Sequence, residues 1–116
     1  MALLDVKRGV TMFREVNVPV LGVVENMSYH LCRKCGGKHD LFGSGGGQRM
    51  AEKFGIPLLG ALPLVRELRE AGDRGAPIVA VDPDHALSRT FVEIAQRLER
   101  ELERQQAAPA RAHFLQ

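Results

Sequence analysis

Apolar residues recur at spacings of three and four near the start of the chain, where Leu3, Val6, Val10 and Phe13 form one stripe. That is the period of an amphipathic helix, predicted to end near Val16-Asn17. An almost wholly apolar run follows from Pro19 to Val24, as expected of a strand buried on both faces of a parallel sheet. From Glu25 to Gly47 the chain reads as loop. Gln48 to Phe54 predicts a short helix closing at Gly55, and Pro57 to Leu62 a second buried strand closed by Pro63. Leu64 to Ala71 predicts a short helix with Gly72 at its C-cap. Ile78 to Val81 reads as a third, very short extended piece.

The clearest pattern is the last. Leu87, Phe91, Ile94, Leu98 and Leu102 make one apolar stripe, with Arg89, Glu93, Arg97, Arg100 and Glu101 elsewhere on the helix. Asp82 or Asp84 stands where a cap is needed, and Glu93–Arg97 is a favourable four-apart pair. From residue 107 to 116 the pattern dissolves, which predicts a flexible tail after one unit spanning 1–106. Helices alternating with strands predict an α/β architecture with parallel connections. Two or three strands alone leave an open edge and bare helix faces. The expectation is therefore the C-terminal part of a larger doubly wound sheet, its exposed surface covered by self-association or by a further segment.

Composition narrows the function classes. A chain of 116 residues with a net charge of +2 and 5% aromatic residues carries no basic stripe interleaved with rings. Nucleic acid is thus not an expected partner. No apolar run approaches the roughly 18 residues of a membrane span. The start, Met1-Ala2-Leu3-Leu4-Asp5, lacks the basic and apolar regions of a secretory signal. A reducing, cytoplasmic setting is expected, where a C-x-x-C pair binds metal or does redox work more often than it forms a structural disulfide.

That pair, Cys32-Arg33-Lys34-Cys35, holds the only two cysteines. Two sulfurs can share one soft metal, but zinc and iron–sulfur sites usually take four protein ligands. The remainder must come from a second copy or from histidines. His30 and His39 flank the pair, so a single-chain Cys₂His₂ zinc site is one alternative. A thioredoxin-type redox pair is disfavoured, because Gly36-Gly37 follows where a helix should begin. Asn26 falls just past the first strand, at the end where open α/β sheets bind ligands. Its amide offers a donor and an acceptor together, although capping the strand end would explain it equally. Glu25 beside it is a further hydrogen-bonding candidate. Gly45-Gly46-Gly47 precedes a helix without a following lysine or hydroxyl, which favours a hinge or close packing over phosphate binding. His85 and His113 show no partner in the sequence.

Taken in order, these residues resemble a known family. Pro19-Val20-Leu21-Gly22-Val23-Val24-Glu25-Asn26-Met27-Ser28, then Cys32-x-x-Cys35, then Phe42-Gly43 with Gly45-Gly46-Gly47 is similar to the Mrp family of iron–sulfur cluster carrier ATPases. That family sits in the MinD/ParA-like branch of P-loop proteins. The likeness runs on through Gly60-Ala61-Leu62-Pro63-Leu64, Arg69-Glu70-Ala71-Gly72-Asp73-x-Gly75-x-Pro77 and Asp82-Pro83-Asp84. It covers roughly residues 2 to 105, and one departure is that Val65 and Arg66 stand where members commonly carry an acidic residue and proline.

The resemblance implies a 4Fe–4S cluster bridging two chains through Cys32 and Cys35 of each, with zinc possible as a substitute. It implies a homodimer and apo iron–sulfur proteins as recipients. It implies an adenine contact at Asn26, with Pro63 and Leu64 nearby. ATP would be bound only with an N-terminal half carrying the P-loop. No G-x-x-x-x-G-K-S/T occurs in this sequence, so the chain alone is not expected to hydrolyse ATP. The alternative is a standalone zinc- or iron-binding interaction module without nucleotide chemistry.

Overall fold

A computed structural model describes residues 2–31, 34, 35, 37–40 and 45–107. The order of elements is α1 (Ala2–Glu15), β1 (Val23–Glu25), β2 (Tyr29–Leu31), β3 (Lys38–Asp40), α2 (Gly46–Phe54), β4 (Leu58–Ala61), α3 (Arg66–Asp73), α4 (Ile78–Val81) and α5 (Ala86–Ala107). The chain is thus mixed α/β, with β1 and β4 paired in parallel and β2 and β3 antiparallel.

The parallel pair is irregular in a way that anchors α5. Val23 opposes Leu58 while Val24 opposes Gly60, so Leu59 is an extra residue on β4. A bulge leaves such a residue outside the ladder. Arg97 of α5 supplies the partner, its guanidinium donating to the Leu59 carbonyl at 3.0 Å. Between β1 and β4 comes α2, which ends at left-handed Gly55, as the sequence predicts. Arg14 of α1 donates to the Phe54 carbonyl and lies 5.3 Å over the Phe54 ring, fastening α1 to the end of α2.

Several expectations are corrected. The first strand is shorter and later than Pro19–Val24 and is not buried on both faces, since Val24 is exposed. The stretch from Glu25 to Gly47 contains the β2–β3 ribbon. α3 begins two residues later than predicted and is capped by Arg74, not Gly72. Ile78–Val81 is helical: Pro77 accepts from the amides of Ala80 and Val81 at 2.9 and 3.1 Å. β-Branched residues alone do not hold an extended backbone when no strand lies alongside to complete a ladder.

Asp82 and Asp84 do not provide the side-chain cap seen on α5. His85 Nδ1 accepts the Leu87 amide at 3.0 Å, a role the sequence did not show. Ile78, Ala71 and Leu87 form a buried cluster with Val65, Leu68 and Phe91 packed against it. Behind it Ser88 is fully buried, its hydroxyl 2.6 Å from the Asp82 carbonyl and 3.1 Å from that of Ile78. Those carbonyls also accept the amides of His85 and Asp82. Removing the hydroxyl therefore orphans neither, and Ser88→Ala is expected to cost about 1 kcal/mol, the net value of a hydrogen bond. Urea titration followed by circular dichroism measures it, and a cost well above that would mean the α4–α5 corner collapses.

The predicted α1 stripe is only partly covered. Val10 is buried, whereas Leu3, Val6 and Phe13 are exposed. Leu98 and Leu102, at the far end of the α5 stripe, are exposed as well. These side chains have the spacing of a core face without a second layer over them.

Candidate metal and nucleotide-side site

The carboxyl ends of β1 and β4 are stitched together beyond the strands themselves. Leu62 donates to the Glu25 carbonyl at 2.8 Å, Ser28 to Leu62 at 2.8 Å, and Leu64 to Tyr29 at 2.7 Å. Backbone bonds of this kind hold two loops side by side at the end of the sheet where α/β folds place ligands. Asn26 and Leu64 are brought to that end. The Asn26 side-chain oxygen accepts the Met27 amide at 2.9 Å, and Met27 takes a left-handed φ of 52°. Asn26 thus shapes the turn that leaves β1 while staying exposed. Pro63 is fully buried and Leu64 exposed, so of that pair Leu64 supplies the accessible surface.

Glu25 answers the glycine run. Its carboxylate oxygen lies 2.9 Å, and its Cβ 3.0 Å, from where a Cβ on Gly47 would stand. Any side chain at 47 would displace Glu25. Gly47 is therefore a close-approach glycine, and the negative group against the first turn of α2 is the chain's own, which suits the positive end of a helix.

Beyond Ser28 the chain enters the β2–β3 ribbon, with Tyr29 opposite Asp40, His30 opposite His39 and Leu31 opposite Lys38. Its base is held from the other side as well, because His30 forms a parallel bridge with Leu64. The cysteine pair falls in the connection between these strands. Cys35 is exposed, and its sulfur accepts the Gly37 amide at 3.4 Å. Amide donors of this kind orient a metal-binding sulfur and stabilise its charge. Cys32 lies outside the described residues, as do Phe42 and Gly43 of the glycine-rich stretch and His113. Among the described residues no group of three or more His, Cys, Asp or Glu is gathered around a common point.

At the foot of the ribbon a pocket of about 280 Å³ is lined by His30, Leu64, Val65, Arg66 and Arg69. Arg66 pairs with Glu70 at 2.6 Å. Val65 takes the N-cap position of α3 in an extended conformation and offers no side-chain acceptor. That is the physical consequence of valine where an acidic residue would have capped the helix. The sequence named His30 and His39 together but not the β2–β3 register that sets position 30 opposite position 39. Two three-residue runs flanking a short connection are too brief to show a period.

Comparison with known proteins gives a consistent result. A ParA family model, described as NUBPL iron-transfer P-loop NTPase, matches residues 1–99. A Pseudomonas fragi protein named iron–sulfur cluster carrier protein is 48% identical over 95 residues, 82% of this chain and 33% of that protein. Proteins of the same name from Salmonella typhimurium and Pyrococcus abyssi are 48% and 47% identical over 87% and 84% of this chain. The matches span 27% and 32% of those two proteins, so the chain corresponds to between about a quarter and a third of the length of these relatives. Among the described residues no helix is long and apolar enough to cross a membrane.

Proposed function

The chain belongs to the ParA-type NUBPL iron-transfer P-loop NTPase family, and from that premise we propose that it carries an iron–sulfur cluster as cargo. The observation that carries this reading is Cys35 held exposed on a ribbon connection with an amide aimed at its sulfur. With two cysteines per chain, Cys32 and Cys35 of two copies supply the four thiolates of a 4Fe–4S cluster. The partner is then a second copy, and the cluster sits between the two.

Sharing sets the chemistry of release. Each chain holds the cluster by two sulfurs, and Cys35, which bears one of them, is exposed. Incoming thiolates of an apo acceptor protein can displace them one at a time. Every exchange replaces one thiolate by another, so charge balances and no oxidant is needed. Zinc can occupy the same sulfurs when iron is scarce.

The nucleotide side is part of the same proposal. Asn26, Pro63 and Leu64 border the end of the sheet where adenine would lie in ATP, with the phosphates held by P-loop residues outside this sequence. The β1–β4 pair and the exposed α1 residues Leu3, Val6 and Phe13 support a place within a larger doubly wound sheet; the cytoplasm is the compartment that goes with this proposal. Residues 1–106 belong to the C-terminal part of that domain, with α5 running one residue further, to Ala107. On its own the chain is not expected to hydrolyse ATP.

Anaerobic reconstitution with iron and sulfide tests the cargo. The expected product is a dimer with one cluster per two chains and thiolate-to-iron absorption near about 400 nm. A chain that stays monomeric and colourless under these conditions would sink the proposal.

A further inference from the structure

We propose that the C-terminal half of α5 and the start of β4 form a binding site for one phosphate dianion, free or as a monoester. A pocket of about 240 Å³ is lined by Arg97, Arg100, Glu101 and Arg104 of the helix against Leu58 and Leu59 of the strand. The three arginines are spaced by three and four, which sets them on one face of the helix.

Two of them are already set in place. Arg97 donates to the Leu59 carbonyl at 3.0 Å, which takes one donor of its fork and leaves the others. Arg104 grips the Glu101 carboxylate with two nitrogens, Nε at 3.1 Å and Nη2. The Glu101 side chain is only 12% exposed, and its bonds from Arg104 hold its carboxyl below the usual carboxylate range. Glu101 therefore stays ionised and restrains Arg104 beside the pocket. Arg100 is exposed and enters no hydrogen bond or ion pair among the described residues. It is the donor left for a ligand.

Charge decides the ligand. Three guanidinium groups accompany one carboxylate, so the lining carries two positive charges in excess. A phosphate dianion cancels that excess, whereas a single carboxylate leaves half of it. Planar guanidinium forks also bind phosphate oxygens through paired N–H bonds. The bound ion ties the outer turns of α5 to β4 through Arg97, so it stabilises the fold by linkage. The pocket stands at the amino end of β4, whereas Leu62 and Leu64 meet Glu25 and Tyr29 beyond the carboxyl end. It needs neither cysteine and stands or falls apart from the carrier reading.

The test titrates inorganic phosphate, then glycerol phosphate, into the full 116-residue chain by calorimetry, at an ionic strength fixed with chloride. One phosphate per chain is expected, with a higher Tm in its presence. Arg100→Ala and Arg104→Ala should each weaken phosphate at least about 10-fold, the loss expected for a charged hydrogen bond. The Tm rise should shrink with it. Arg97→Ala would release the Leu59 carbonyl as well, so Arg100 and Arg104 carry the test, with folding checked by circular dichroism. Arg89→Ala, about two turns nearer the start of α5 and outside the pocket, should bind as the parent does. Equal weakening by Arg89→Ala would show diffuse charge and overturn the site. Unchanged affinity in Arg100→Ala, or no saturable binding, would overturn it too. Succinate binding as tightly as phosphate would overturn the choice of ligand. Glycerol phosphate that binds as well identifies an esterified ligand, and phosphate alone identifies the free ion.

Discussion

Cys35→Ser is expected to lower the iron and sulfide retained after anaerobic reconstitution to less than about a tenth of the parent level, and Cys32→Ser to do the same. The effect is large because the deficit is structural. In the proposed shared cluster each chain brings half of the sulfur donors, so one substitution per chain would remove two of its ligands. A serine hydroxyl does not ionise in this range and is a poor soft-metal ligand. The fold should hardly notice. Cys35 is exposed, and substitutions at such positions usually shift stability by within about 0.5 kcal/mol. Iron and acid-labile sulfide assays on variants with unchanged circular dichroism separate the two effects. Full cluster content in Cys35→Ser would place the ligands elsewhere and end the carrier proposal as stated.

Gly60→Ala is expected to cost about 1–3 kcal/mol, the range for forcing extra carbon into a packed site. A Cβ at position 60 would stand 2.5 Å from Ile94 Cγ1 and 2.8 Å from its Cδ1. Ile94 belongs to the stripe by which α5 packs on β4. Arg97, one turn on, is tied to the Leu59 carbonyl and restrains the helix from backing away. The loss corresponds to a fall in Tm of several degrees, on the order of 4–8 °C for each kcal/mol. Ile94→Ala removes the obstructing carbons. Gly60→Ala combined with Ile94→Ala should therefore cost less than the two single changes summed, a coupling that thermal melts of all four proteins would reveal. Strict additivity would show that Ile94 is not what Gly60 makes room for.

Glycine and cysteine thus serve separable ends in one short chain. Gly47 and Gly60 admit a neighbouring side chain, and their substitution acts on the fold. Cys35 is exposed, and its substitution, with that of Cys32, is expected to act on the proposed cargo. A change that confounds the two, losing both fold and cluster, would point to metal as a structural requirement of the ribbon.

Much was legible in the sequence where a period ran long enough. The 3.6-residue spacing through Leu87, Phe91, Ile94 and Leu98 located α5 over 22 residues, and Gly55 marked the end of α2. The ordered motifs around Cys32 and Cys35 also pointed to the family that comparison supports. Short elements were a different matter. Three-residue strands such as β2 and β3 complete barely one alternation, and a four-residue run with three β-branched members gave no sign that Ile78–Val81 would be helical. His85 as a cap became visible only once its ring lay against the Leu87 amide.

What the chain dictates unaided is the set of donors and their spacing, because sulfur, imidazole and amide chemistry belong to residue types and local periodicity to neighbouring residues. Tertiary structure alone decided that His30 opposes His39, that Asn26 and Leu64 meet at one end of the sheet, and that Glu25 occupies the space beside Gly47. Those pairings join residues nine to thirty-eight positions apart. They depend on strand register and helix docking, which no local pattern encodes.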